Sequence, residues 1–259
     1  MDRSEPLAAL VAARTLDAEL AALLLLLLRA RVPVIVAGPP TSGREALADA
    51  LVASLPHDLT PVELAGAAEE FEWLPEAVEL GWRRERRVVP GVGRDAVQRV
   101  SSGSTVIVAR SLAGDAPEAT GGERARLVVR ALAVGYGLVA TVDEPDLQGV
   151  LDRLHRPPVG TDEDERSRLG VVLAVGDVPP GTRVLAAHYV RPVARDQHGH
   201  VQRMPPAVLA TWNMARDDFD HFAWGVTPEL ASRVGLTAIE LEREQAGLAA
   251  ALRAGGSPA

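Results

Sequence analysis

The chain has 259 residues, 47% of them apolar, which is enough to bury a substantial core and excludes a disordered polymer. Its formal charge of -8 excludes a general nucleic-acid binder, whose affinity needs concentrated positive charge, and the absence of cysteine excludes disulfides, thiolate metal sites and cysteine nucleophiles. All 27 cationic residues are arginine, so an arginine at any one position carries little information by itself.

From Pro6 to Arg31 the pattern predicts two helices divided near Thr15-Leu16-Asp17, with Thr15 as the N-cap of the second. The apolar run Leu20 to Leu28 is about half of the roughly 20 residues that a membrane span requires. Acidic Asp17 and Glu19 precede it and Arg29 ends it, without a basic leader or a cleavage site. It reads as a buried helix in a cytoplasmic protein with no direct membrane insertion.

Val32 to Ala37 reads as a buried strand, and Ala46 to Val52 as a helix. Between them stands Gly38-Pro39-Pro40-Thr41-Ser42-Gly43-Arg44-Glu45, the glycine frame of a phosphate-binding P-loop. A working loop reads G-x-x-x-x-G-K-[ST], with the lysine on the β/γ-phosphates and the hydroxyl on Mg²⁺. Here those two positions hold Arg44 and Glu45. The candidate nucleotide-binding residues are therefore Gly38, Thr41, Ser42, Gly43, Arg44 and Glu45. The carboxylate of Glu45 lies where the helix dipole would favour a phosphate. ATP and Mg²⁺ are expected to bind weakly if at all; the alternative is that Glu45 holds Mg²⁺ and bridges to phosphate.

From Pro61 to Pro90 short alternating runs such as Ala77 to Trp82 suggest strands along one edge, and helical spacing returns from Asp95 to Val100. Further strands are predicted at Ser104 to Ala109, Leu138 to Val142 and Leu169 to Val175, with helices at Glu123 to Val134 and Pro145 to His155. Four strands alternating with helices predict an α/β fold with a mainly parallel sheet. Asp143-Glu144 before Pro145 reads as the cap of the next helix. Arg183 to Val193 and Val201 to Asn213 read as a C-terminal antiparallel meander, closed by two helices. The expected division is N-terminal helices over 1–31, a degenerate P-loop core over 32–180 and a C-terminal part of the same domain over 181–259.

The order of these elements from about Pro6 to Leu236 resembles the RecA-like core of the type II and type IV secretion and pilus-assembly (Flp/Tad-like) ATPases. Arg126 to Tyr136 is similar to that family's helix ending in Gly-His. Val139 to Glu144 followed by Val150 to Leu154 is similar to its T-x-H-A strand end and R-L helix, and Phe222 to Leu230 with Gly235-Leu236 to its C-terminal region. The departures are systematic. The resemblance implies a water-polarising Glu after the Ser104 to Ala109 strand, where this chain has Arg110. It implies paired histidines at Tyr136 and Asp143. It assigns the acidic box to Glu69, Glu70 and Glu72, with Glu72 a candidate acid, and the family's nucleotide-capping N-terminal domain has no counterpart in this sequence.

The resemblance therefore implies a hydrolysis-deficient ATPase-like subunit of a secretion or pilus system, with an active paralogue and inner-membrane platform components as partners and an oligomeric state. The alternatives are a functioning ATP-hydrolysing motor with its acid from Glu72 or a neighbouring subunit, a MoxR-like AAA protein, and a structural module without nucleotide. Arg83, Arg84, Arg86 and Arg87 with Trp82 form the expected contact surface. His198-Gly199-His200 reads as a solvated turn rather than a metal site, and no metal site is expected. Trp73, Trp82, Trp212 and Trp224 read as core or interface anchors.

Overall fold

The computed structural model describes residues 5–83, 100–179, 181–195, 198 and 200–255. The chain opens with helices α1 (Glu5–Ala12) and α2 (Ala18–Arg29). Asp17, not Thr15, is the N-cap of α2: its extended backbone lets Oδ1 accept the Leu20 N–H at 2.9 Å. A carboxylate there also meets the positive end of the helix dipole, which a threonine hydroxyl cannot do as strongly.

The next elements are β1 (Val34–Ala37), α3 (Arg44–Ala53), β2 (Thr60–Glu63), β3 (Thr105–Ala109), α4 (Gly122–Ala131) and β4 (Gly137–Val142). They continue with α5 (Leu147–His155), α6 (Glu163–Arg166), β5 (Val171–Val178) and β6 (Gly181–Tyr189). A small ribbon, β7 (Ala194–Arg195) and β8 (Val201–Gln202), precedes β9 (Ala207–Asn213) and β10 (Asp218–His221). Helices α7 (Thr227–Val234) and α8 (Ala238–Arg253) follow.

Eight strands form one sheet in the order β10-β9-β6-β5-β1-β4-β3-β2. The run from β5 to β2 is parallel, and β6, β9 and β10 extend it antiparallel. The fold is thus α/β with a mainly parallel sheet flanked by helices and a C-terminal antiparallel part. Pro61 is tolerated in β2 because that strand pairs only with β3, and an edge strand can spare a backbone donor.

Both faces of the sheet are covered, which explains why every residue of β1, β3 and β4 is buried and most of them are apolar. Val34 and Val36 share a core with Leu24 of α2, Leu47 of α3 and Leu248 of α8, whereas Ile35 and Ala37 share one with Val128 of α4 and Val150 of α5. The leucine run is now accounted for. Every residue from Leu20 to Leu28 is buried because α2 joins the sheet-facing core and also packs along α8. Among the described residues no helix is long and apolar enough to cross a membrane.

Three further expectations need correction. Ala77 to Trp82 is not a strand but a run of turns, closed by Leu80 N–H to Glu76 O at 2.9 Å and Trp82 N–H to Ala77 O at 2.8 Å. Its alternation reflects Ala77 packing inward with Phe71 and Leu74 onto the α4 side of the sheet. The cap of α5 is Asp146, whose Oδ1 accepts the Gly149 N–H at 2.8 Å, not Asp143 or Glu144. Finally, the parallel part has five strands rather than four, since β2 is too short and polar to register as one in sequence. The expected helix at Asp95 to Val100 lies, but for Val100, outside the described residues.

Candidate functional site

The frame from Gly38 to Gly43 stands at the carboxyl end of β1, where β4 and β5 flank it on either side. That is where the strand order reverses, and such a crevice is where open α/β sheets bind ligands. Gly43 takes a left-handed backbone (φ 77°) and leads straight into α3. A Cβ at Gly43 would lie 2.4 Å from Oγ1 of Thr182 at the start of β6. One at Gly38 would lie 2.4 Å from the Ser42 hydroxyl and 2.6 Å from the Val175 carbonyl oxygen. Both glycines are therefore required by close packing of the loop on its neighbours.

The loop is closed on itself. The Ser42 N–H donates to the Pro39 carbonyl at 2.9 Å, and the buried Ser42 hydroxyl has no hydrogen-bond partner among the described residues. Thr41 is exposed. Arg44, 5% exposed, turns its guanidinium back into the loop and donates from Nη1 to the Gly38 carbonyl at 2.5 Å. The same nitrogen lies 3.2 Å from Asp143 Oδ1, just beyond β4, and Nε donates to Glu45 Oε1 at 3.2 Å.

Glu45 is the hub of a second group. Its Oε1 also accepts the hydroxyl of buried Thr141 at 3.0 Å, and that hydroxyl in turn accepts the Ser111 N–H at 2.8 Å. Its Oε2 lies 3.7 Å from Nη1 of Arg110, the residue that follows β3. Arg110 presents each nitrogen to a different carboxylate: Nε to Glu63 at 2.6 Å, Nη2 to Asp49 at 2.8 Å and Nη1 to Glu45. The hydrogen bonds that it donates to Glu63, then to Asp49, hold this guanidinium still more firmly protonated than usual. Four carboxylates (Glu45, Asp49, Glu63, Asp143) against two guanidiniums leave the constellation net negative.

Of the residues singled out in the sequence, the fold brings Gly38, Ser42, Gly43, Arg44, Glu45, Arg110 and Asp143 together. Tyr136 stands apart, at the amino end of β4, whereas Asp143 follows its carboxyl end. Its ring is buried beside Trp73, and its hydroxyl donates to Glu76 at 2.9 Å. Burial, then that hydrogen bond, push the phenol pKa well up. Within the acidic stretch, Glu69 is a loop clamp, accepting the N–H groups of Ala65 and Phe71 at 3.0 and 2.7 Å; Glu70 faces Arg124, and Glu72 is exposed. Trp73 and Trp82 pack around Phe71, Trp212 donates to Asp217 and Trp224 is 78% exposed. Arg83 is exposed, and Arg84, Arg86 and Arg87 lie outside the described residues.

Asp49 and Glu63 were not singled out, and Thr141 stood out only as the threonine of the T-x-H-A likeness. Asp49 carried a signal, being one helical turn beyond Glu45 on the same face. Glu63 carried none, because nothing local says that β2 will lie beside β3.

Neither a protein-family model nor a curated protein sequence matches this chain. Among solved structures it is similar to the VirB11 ATPase of the Brucella suis type IV secretion system in complex with sulphate, with a TM-score of 0.43 and 17% identity. The match covers 64% of this chain and 50% of that one, so this chain spans about half the length of that structure. At that level of likeness the sheet order, rather than the neighbour, defines the class: an α/β protein with a P-loop frame at its switch point.

Proposed function

We propose that this chain is a hydrolysis-deficient counterpart of the secretion and pilus-assembly ATPases, acting as a regulatory or structural subunit beside an active paralogue. The observation that carries this reading is Arg110 seated among Glu45, Asp49 and Glu63. In a P-loop NTPase the loop hydroxyl holds Mg²⁺, and in the family that this chain resembles the carboxylate after the strand polarises the attacking water. Here the loop position is an acid and the strand end a cation, so the protein supplies its own positive charge where the metal would be needed. Arg44 is already engaged by the Gly38 carbonyl and Asp143. A phosphate about 4 Å from Glu45 would be repelled by roughly 1 kcal/mol in bulk water and roughly 4 kcal/mol at an effective dielectric near 20. The larger figure is on the order of a thousandfold in affinity.

Calorimetry with Mg·ATP at neutral pH is expected to give a dissociation constant no tighter than the high micromolar range, with phosphate release at the level of a buffer control. The double variant Arg44→Lys/Glu45→Thr is expected to bind ATP more tightly without gaining turnover, because Arg110 still lacks the carboxylate that catalysis needs. A low micromolar constant for the parent, or phosphate release abolished by Arg44→Ala, would overturn the reading in favour of a functioning motor. Copurification from the native host followed by mass measurement tests the partnership. Capture of a secretion or pilus ATPase supports it, and a monomer that captures no such component leaves a structural module.

A further inference from the structure

The N-cap role of Asp17 commits only one of its carboxylate oxygens. While Oδ1 is held by the Leu20 N–H at 2.9 Å, Oδ2 turns away from the helix and meets Nε2 of His221 at 2.7 Å. Glu19, two residues further on, is held in a similar way: Arg253 of α8 donates to Oε1 at 2.8 Å, and Oε2 lies 3.6 Å from the same His221 nitrogen. His221 ends β10 and pairs there with Ala210 of β9. One imidazole nitrogen and two carboxylate oxygens thus converge, all within 4.8 Å of one another.

We infer that Asp17, Glu19 and His221 form a binding site for a divalent transition ion of the Zn²⁺ type. Zinc takes nitrogen and carboxylate oxygen at about 2.0–2.2 Å in tetrahedral geometry, which sets neighbouring ligand atoms roughly 3.4 Å apart. The separations of 2.7 and 3.6 Å from the His221 nitrogen to the two carboxylate oxygens bracket that value, and all three atoms lie within 4.8 Å of one another, so side-chain adjustment alone can admit the ion. The remaining carboxylate oxygens carry the outer-shell bonds that orient metal ligands, from the Leu20 amide to Asp17 and from Arg253 to Glu19. Glu19 is 48% exposed, which leaves solvent access for a fourth, water position. An imidazole ligand selects Zn²⁺ and its neighbours over the oxygen-seeking Mg²⁺ and Ca²⁺. Bound there, the ion would tie the antiparallel edge of the sheet to the start of α2. Sequence alone expected no metal site because Asp17 and His221 are 204 positions apart.

The test is calorimetry of the metal-stripped full chain with ZnCl₂, with MgCl₂ as the contrast and circular dichroism to establish that each variant is folded. A saturable one-to-one Zn²⁺ isotherm in the micromolar range is expected, weakened at least tenfold in His221→Gln and in Asp17→Asn. Asparagine keeps a side-chain oxygen for the cap, so that variant separates metal binding from helix stability. The double variant His198→Ala/His200→Ala is expected to leave the isotherm unchanged. Absence of saturable Zn²⁺ binding, binding undiminished in both site variants, or binding that disappears with His198 and His200 would overturn the inference.

Discussion

Gly43 carries two constraints at once, a left-handed backbone and a neighbour, Thr182, that leaves no room for a Cβ. Gly43→Ala is therefore expected to lower stability by about 2 kcal/mol or more, from roughly 1–2 kcal/mol of backbone strain plus the contact with Thr182. Urea denaturation checks this, and an unchanged midpoint would mean that the loop can reshape freely. At this scale the P-loop frame was legible, since Arg44 and Glu45 stand where a working loop has a lysine and a hydroxyl, and Arg110 follows the next core strand. Glu63 was not legible as a partner, and Asp49 only through its spacing from Glu45 on α3. A carboxylate on an exposed helix face or strand end looks solvated until the fold puts a guanidinium beside it.

Between elements, the short helix α6 is fixed less by its own length than by Glu165. This carboxylate, 13% exposed, completes the α6 capping box and accepts Arg130 at 2.6 Å and Arg126 at 3.3 Å, one turn apart on α4. Burial pushes its pKa up, but hydrogen bonds from Arg130, the Asp162 backbone and Arg126 outweigh that and hold it below the usual carboxylate range. A depressed pKa contributes stability that is present above the unfolded value near 4.5 and lost as pH falls through the folded one. Glu165→Gln is expected to cost about 1–3 kcal/mol at neutral pH. The gap to the parent should close on acidification, as followed by denaturant midpoints from pH 7 to pH 3. A gap that does not change with pH would assign the effect to packing. A four-residue helix such as α6 has too little periodicity to declare itself in sequence.

Over the whole molecule, α2 is the layer that the rest must cover. Its leucines are buried on all sides only because α8 contributes Leu241, Leu248 and Leu252 to the same core. Ending the chain before Ala238 should expose that surface. We expect such a truncation to bind a hydrophobic dye and to aggregate, whereas the parent does neither. Dye fluorescence and light scattering check this, and a truncated chain that stays folded and dispersed would show that α2 needs only the sheet.

The sequence by itself determined the class of fold and the altered state of the P-loop frame. Those depend on local quantities: apolar runs that set strands between helices, and two glycines spaced around a turn. It could also say that the leucine run was too short to span a bilayer. Only the tertiary structure decided which carboxylates surround Arg110, which face of the sheet α2 covers, and that His221 meets Asp17 and Glu19. Each of these joins residues distant in the chain, and their proximity follows from strand order and layer packing, which no local pattern encodes.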